Sequence, residues 1–312
     1  MAKYPSEIFG YPYSNTSKKA KDIRSKHWCP FVDKVCYKQS RLIRYPFGVC
    51  SAHFNNDEVA LCPRRFLDGH AVFTDIAEHH FKTVNDILVF PEIRLKDIGS
   101  FDFVMVKHKP MSFEIEDFVA IEFQTGQTTG TGKLVDGLKD YVAGKTVHDK
   151  SYRFGLNLYD VWKRSFTQIL NKGVIMENWH KKIYWVVQEP VYKYLETRYN
   201  LKSLDFQPDH STAFALYDLK QSSEKFNLVA SRKVSASMDR LFTAFRTNTV
   251  MPSVEEFEAA LNRKIQAEAQ ISLRLGRPSK TAKIDIKSPT ASGKVGESAE
   301  EYHKKDLFDD EE

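Results

Sequence analysis

Three side chains near the middle of the chain have the types and spacing for metal-assisted chemistry on a phosphate. Glu122 and Gln124 lie two apart in the run Asp117-Phe118-Val119-Ala120-Ile121-Glu122-Phe123-Gln124, and Asp102 lies near the start of an apolar run from Phe101 to Lys107. Side chains alternate along a strand, so Glu122 and Gln124 share one face while Ile121 and Phe123 share the other. If the two runs pair as a hairpin, Asp102 converges on them. Two carboxylates with an amide beside them then offer oxygen ligands to a hard divalent cation such as Mg2+. A cation so held contacts a scissile phosphate and lowers the pKa of a bound water. Gln124 is neutral at every relevant pH and cannot be the general base; it can orient the water or donate a hydrogen bond to the phosphate. The plainer alternative is two ordinary strands with edge-exposed carboxylates.

A second group is made of thiols. Cys29, Cys36, Cys50 and Cys62 are all the cysteines of the chain, and all fall within its first 62 positions. A disulfide framework is not expected in a cytosolic protein of this size, which leaves a structural metal or unligated buried thiols. The intervals of six, thirteen and eleven residues contain no Cys-x-x-Cys knuckle. Four thiolates suit tetrahedral zinc or iron, and the spacing does not choose between them. His27, His53 and His70 lie nearby but read as neighbours, because four thiolates already close a site.

Composition sets the frame for both groups. With 312 residues, 42% of them hydrophobic, the chain can bury a large core. No apolar run reaches the roughly 18 residues that span a bilayer, and the start, Met1-Ala2-Lys3-Tyr4-Pro5, has no signal-peptide character, so a cytoplasmic protein is expected. The net charge of +5 is unevenly spread: Glu297 to Glu312 holds eight acidic residues against two lysines, leaving +11 on residues 1–296. A strongly basic folded part favours a polyanionic partner. Lys18, Lys19, Lys21, Arg24, Lys26, Arg41, Arg44, Arg64 and Arg65 are candidates to meet phosphates, or else form a solvated basic surface.

Periodicity predicts the elements that must hold these side chains. Val72 to Phe90 repeats as a helix, followed by strands around Leu88–Leu95 and Phe101–Lys107 and by the strand bearing Glu122. A helix from about Gly132 to Val142 and a strand over Ile183–Gln188 come next. Helices are expected at Asn157–Leu170, Pro190–Tyr199 and Ser237–Phe245, with strands at Ala213–Leu219 and Phe226–Ala230. Ser253 and Glu256 form a capping box opening a helix that runs from Pro252 to Leu275, and Gly276-Arg277-Pro278 stops it. Two features are rejected as sites. Gly126 to Lys133 is not a phosphate-binding loop, since Gln127 replaces its first glycine and Leu134 its hydroxyl, and Tyr184-Trp185-Val186-Val187 reads as a core strand rather than a base-stacking platform.

The order helix, three meandering strands, helix, strand, with Asp102 and Glu122-x-Gln124 on the second and third strands, resembles the PD-(D/E)XK nuclease core, Gln124 replacing its usual lysine. Together with Trp28-Cys29-Pro30 and Leu61-Cys62-Pro63, it resembles the NotI family of Type II restriction endonucleases over roughly residues 20–250. The resemblance implies an α/β (α+β) fold with a mixed central sheet flanked by helices and a small N-terminal metal-bound subdomain. Residues 1–70 would form the basic four-cysteine metal-binding subdomain and 71–276 the catalytic and DNA-recognition domain, while 277–312, rich in Lys, Ser, Thr and Gly and acidic at its end, reads from composition as a disordered tail. It further implies a homodimer that hydrolyses phosphodiesters in both strands of double-stranded DNA at a GC-rich palindrome, with a central GGCC as a candidate. Mg2+ is implied at Asp102 and Glu122, with iron (zinc being the alternative) on Cys29, Cys36, Cys50 and Cys62, and a companion DNA methyltransferase protecting the host. Gln124 takes a catalytic position, and Glu92 is the candidate for an additional active-site carboxylate, with Glu78 as its rival. Arg232, Lys233 and Arg240 lie in the region where base recognition is expected. A non-catalytic DNA-binding protein and another PD-(D/E)XK nuclease, such as a repair enzyme, are the alternatives.

Overall fold

A computed structural model describes residues 2–199, 201–202, 204–247 and 253–266. The chain divides into two compact units, 1–251 and 252–312. The first unit opens with β1 (Lys3–Ile8), β2 (Tyr11–Pro12), α1 (Lys18–Ser25), β3 (Trp28–Cys29), β4 (Lys34–Val35), β5 (Val49–Phe54) and β6 (Asp57–Ala60). A 3-10 stretch, Pro63–His70, leads into α2 (Ala71–His80). Then come β7 (Ile87–Leu95), β8 (Gly99–His108), β9 (Ile115–Gln124), β10 (Thr128–Thr129), α3 (Thr131–Val142), β11 (Gly155–Leu156) and α4 (Leu158–Gln168). A π-turn over Ile169–Gly173 joins α4 to α5 (Val174–Asn178), followed by β12 (Lys182–Gln188), α6 (Glu189–Arg198), β13 (Thr212–Gln221), β14 (Phe226–Ala236) and α7 (Met238–Arg246). The second unit contributes α8 (Val254–Gln266). No described helix is long and apolar enough to cross a membrane.

The fold is mixed α/β around a six-stranded sheet in the order β14-β13-β12-β9-β8-β7. β12 is parallel to both β9 and β13, and the remaining neighbours are antiparallel. Strict alternation divides the core between the two faces. Ile183, Trp185, Val187, Phe214 and Leu216 pack on one side with α3, α4 and α6, while Tyr184, Val186, Ala213, Ala215 and Tyr217 pack on the other with α2. The expected core strand Tyr184 to Val187 is completely buried.

A second sheet, β2-β1-β5-β6, belongs to the same core through Ile8, Phe9, Val49, Ala52 and Val59. Two buried polar ties bind it to the rest. The Gln188 amide accepts from Ala60 N and donates to Glu58 O, and Arg65 donates to Glu7 Oε2 at 3.0 Å and to the carbonyl of Phe226.

Several boundaries differ from the sequence-based expectation. The helix expected from Val72 to Phe90 stops at His80; Phe81 caps it, Lys82 and Asp86 take left-handed φ of 59° and 58°, and the chain re-enters as β7. The β-branched and aromatic run Ile87 to Phe90 matches a helical period by coincidence, which a short apolar run allows. β14 continues to Ala236, beyond the expected Ala230, and carries Arg232 and Lys233 along it. The capping box of α8 is present, Ser253 N donating to Glu256 Oε2 and Glu256 N to Ser253 Oγ, whereas the expected end of that helix and the acidic tail lie outside the described residues.

Candidate active site

β8 and β9 pair antiparallel, as the hairpin reading requires, with Phe103 opposite Ile121 and Val104 opposite Ala120. One step further Asp102 turns its side chain onto the neighbouring strand: Oδ2 accepts the N–H of Phe123 at 2.8 Å. Phe123 is held on the other face among Phe66, Phe73 and Phe103, at centroid distances of 5.3, 6.2 and 5.2 Å. That aromatic cluster fixes which way β9 faces. Anchoring Phe123 on the α2 side sends Glu122 and Gln124 to the α4 side.

Glu92 comes to the same place. In the β7–β8 register Pro91 pairs with Phe103 and Ile93 with Phe101, so Glu92 stands across from Asp102. Its φ of 52° breaks the regular ladder of this edge strand. Glu78, the rival, is exposed on α2. Asp102 and Glu92 line a cavity of about 690 Å³ together with Lys34, Tyr37 and Arg64 from the cysteine-bearing segment. The Arg64 guanidinium stacks over the Tyr37 ring at 3.8 Å. Two acidic and two basic side chains thus line one cleft.

Glu122 does not line that cavity; it is 1% exposed. Its Oε1 accepts from Lys172 Nζ at 2.5 Å, and the same ammonium donates to the carbonyl of Ser100 at 2.7 Å. Lys172 belongs to the π-turn after α4. The preceding turns of that helix hold Gln124: Ser165 Oγ donates to its Oε1 at 2.7 Å, and its Nε2 donates to Gln168 Oε1 at 3.2 Å. Ser165, Gln168 and Lys172, residues that sequence reading did not single out, therefore grip the Glu-x-Gln motif from one helical stripe. Their signal was present as polar residues at i, i+3 and i+7 on the side of α4 that also buries Val161 and Trp162.

Electrostatics follow from burial. The Glu122 carboxyl is pushed up to about 7, first by loss of water and next by the Asp102 charge, with Lys172 opposing. Asp102 is also raised by burial, while the Phe123 N–H and Lys172 pull it down and Glu92 adds to the rise. The Asp102 charge acting on Glu122 and the Glu92 charge acting on Asp102 define a region of negative potential that a divalent cation would relieve. The donor set fits a hard cation in kind. Among the described residues, however, no three His, Cys, Asp or Glu side chains stand in metal-holding geometry.

The same statement covers the thiols. Cys29, Cys50 and Cys62 are buried, Cys36 is half-buried, and none is in a disulfide. They share one neighbourhood without adopting the expected ligating arrangement. Burial raises the Cys29, Cys50 and Cys62 thiols; Cys62 and Cys36 add to the rise at Cys29, Cys62 and Cys29 at Cys50, and Cys36 at Cys62. Backbone amides of Phe31, Gly10 and Arg64 point at the sulfurs of Cys29, Cys50 and Cys62 and favour thiolates. Those amides are what tetrathiolate ligation would need around it.

Several expected phosphate contacts serve other roles. Arg65 has no exposed side-chain surface and pairs with Glu7. Arg24 donates to four carbonyls, those of Ile8, Tyr11, Pro12 and Asn15. Of the residues expected in the base-recognition region, Arg232 on β14 pairs with Glu189 and Glu196, and Lys233 with Asp75.

A family model described as Restriction endonuclease NotI matches residues 14–228, more than half of the chain. No curated protein matches it.

Proposed function

The chain belongs to the NotI restriction endonuclease family and is a site-specific deoxyribonuclease, and on that premise we propose that it cuts both strands of DNA at a GC-rich palindrome in a Mg2+-dependent reaction. The observation that carries the active-site reading is the convergence of Asp102 from β8 and Glu122 from β9, where the Asp102 charge raises the affinity of Glu122 for a proton. In this reading Asp102 and Glu122 hold Mg2+, with Glu92 as the further carboxylate at the mouth of the cleft. When bound, the cation polarises the scissile phosphate and lowers the pKa of a water.

The protein's own groups do the rest. Lys34 and Arg64 draw the phosphodiester backbone into the cleft that Asp102 also lines. Gln124, held by Ser165 and Gln168, has a second amide N–H left to orient the attacking water or to bond a phosphate oxygen. It accepts no proton, so proton removal falls to bulk solvent or to the water's own acidity.

Residues 1–70 serve as the structural unit, with iron (or zinc) on Cys29, Cys36, Cys50 and Cys62; the shared field of the thiols and the amides aimed at them support this. Residues 71–276 then supply catalysis and DNA recognition. A homodimer supplies the second active site that a palindrome requires. Among the described residues β7 ends the sheet, and this edge supports a second copy there: Leu88, Val89, Phe90 and Ile93 stand exposed, and an apolar edge strand invites association. In the cytoplasm such an enzyme needs a companion methyltransferase to spare host DNA. Incubating the purified protein with unmethylated phage DNA and a GC-rich substrate panel, with Mg2+ or EDTA, tests the proposal. Discrete Mg2+-dependent fragments with a common end sequence are expected. Random nicks, or cutting that persists in EDTA, would contradict it.

A further inference from the structure

The Glu-x-Gln motif brings no cation to its own glutamate, because Gln124 stands where a lysine is usual in the core it resembles. The tertiary structure brings one from fifty residues away. Lys172 Nζ lies 2.5 Å from Glu122 Oε1 and 2.7 Å from the carbonyl of Ser100, and 5.3 Å from the ring centroid of Phe101. Ser100 is two residues before Asp102, so the ammonium bridges the two strands that carry the carboxylates. Its side chain is 5% exposed and that of Glu122 is 2% exposed.

A buried ammonium is expensive and is not retained for stability alone, since an apolar pair of similar volume is often as stable. Two features separate this pair from an ordinary internal ion pair. First, Lys172 sits in a π-turn, an extra-residue distortion of a helix that recurs at functional sites. The turn is packed in place from behind: a Cβ on Gly173 would lie 2.6 Å from Met238 Sδ. Second, the same stripe that carries Lys172 carries Ser165 and Gln168, which hold Gln124. One helix therefore orients both polar members of the motif.

We propose that Lys172 is a positioning residue of the active site, replacing in space the lysine that the motif lacks in sequence. It holds Oε1 of Glu122 and leaves Oε2 as the oxygen presented to a divalent cation. Lysine and cation then share one carboxylate, and their like charges oppose each other. Lys172 thus sets where the cation sits while weakening how tightly it is held. This rests on the nuclease reading above, and the two are separable by experiment.

The full-length protein is compared with Lys172→Met, Lys172→Arg and Glu122→Gln at pH 8. Isothermal titration of DNA-free protein with Ca2+ gives the Glu122-dependent affinity, and single-turnover cleavage in Mg2+ gives the rate. For Lys172→Met the Ca2+ affinity is expected to rise at least about threefold, because a neighbouring positive charge is gone. The cleavage rate is expected to fall on the order of 100-fold, as a misplaced reacting group costs. Lys172→Arg should keep the wild-type Ca2+ affinity to within about twofold and recover at least about tenfold of the rate over Lys172→Met. A purely structural lysine would lower rate, Ca2+ affinity and melting temperature together, and that result overturns the proposal. So does a Lys172→Met protein that cuts within about threefold of wild type, or one whose Ca2+ affinity is unchanged. If Lys172→Met does not fold, Lys172→Gln, which still donates to Ser100 O without the charge, carries the same expectations. Should the wild type cut no DNA, the nuclease reading fails, and the Ca2+ titration alone still decides the role of Lys172.

Discussion

The carboxylate of Asp102 is tied to the backbone of Phe123, whose N–H it accepts at 2.8 Å. One side chain thus closes the ladder between β8 and β9 and supplies a charge to the site. The two roles separate chemically. In Asp102→Asn the amide oxygen can still accept from Phe123, so the fold should persist while Mg2+-dependent cleavage is lost. Asp102→Ala should lose cleavage and also about 1–3 kcal/mol of stability, the worth of a charge-assisted hydrogen bond. Both should bind DNA in Ca2+ to within about tenfold of wild type. Wild-type cleavage rates in either variant would remove Asp102 from the active site.

Glu122 gives the site a pH dependence with a definite sign. Its carboxyl rises from 4.5 to about 7 on folding, through burial first and Asp102 second. Raised in the folded state, it favours the metal-free fold below about pH 4.5 and loses that contribution as pH climbs through 7. A divalent cation must displace the same proton. Apparent Ca2+ affinity should therefore increase by about tenfold per pH unit below pH 7 and level off above it. Titration calorimetry across that range checks this, and a flat profile in the wild type would refute it. Glu122→Gln should abolish the slope.

The thiol cluster makes an analytical prediction. Purified protein should contain about one iron or zinc per chain, and Cys36→Ser should lose it and melt several degrees lower. Elemental analysis and calorimetry read both quantities. Unchanged metal content and melting temperature in the variant would leave four buried thiols without a ligand role.

Arg64 lines the same cleft as Asp102 and is pre-organised on Tyr37. Arg64→Ala should weaken DNA binding in Ca2+ by about tenfold across sequences and reduce the salt slope by about one counterion. The melting temperature should not change. An undiminished salt slope would place Arg64 outside the phosphate path.

Arg65, its neighbour in sequence, predicts the opposite pattern. With Glu7 it forms a fully buried ion pair, so Arg65→Ala strands a carboxylate and should cost about 3–5 kcal/mol in denaturant unfolding. The double replacement Arg65→Met with Glu7→Leu should recover most of that loss. Equal stability of the single variant and the wild type would contradict the pairing.

What was legible in the sequence was local. The alternation that puts Glu122 and Gln124 on one face, the burial of Tyr184 to Val187, the α3 helix and the capping box of α8 all follow from side-chain period and backbone chemistry within a few residues. The resemblance to the NotI family was carried by such short motifs, and the family match over 14–228 agrees with it. Where the period was ambiguous, as over Val84 to Phe90, strand pairing with β8 decided against the helix.

Tertiary structure decided the rest, because charge neutralisation and cleft formation depend on proximity rather than on spacing. Nothing in the sequence around Lys172 ties it to Glu122, yet a π-turn carries its ammonium to that carboxylate. Arg64 and Arg65 look alike in sequence, but the fold buries Arg65 against Glu7 and places Arg64 in the cleft that Asp102 also lines. Burial also set the protonation of Glu122, since removing water from a charge is a property of its three-dimensional surroundings.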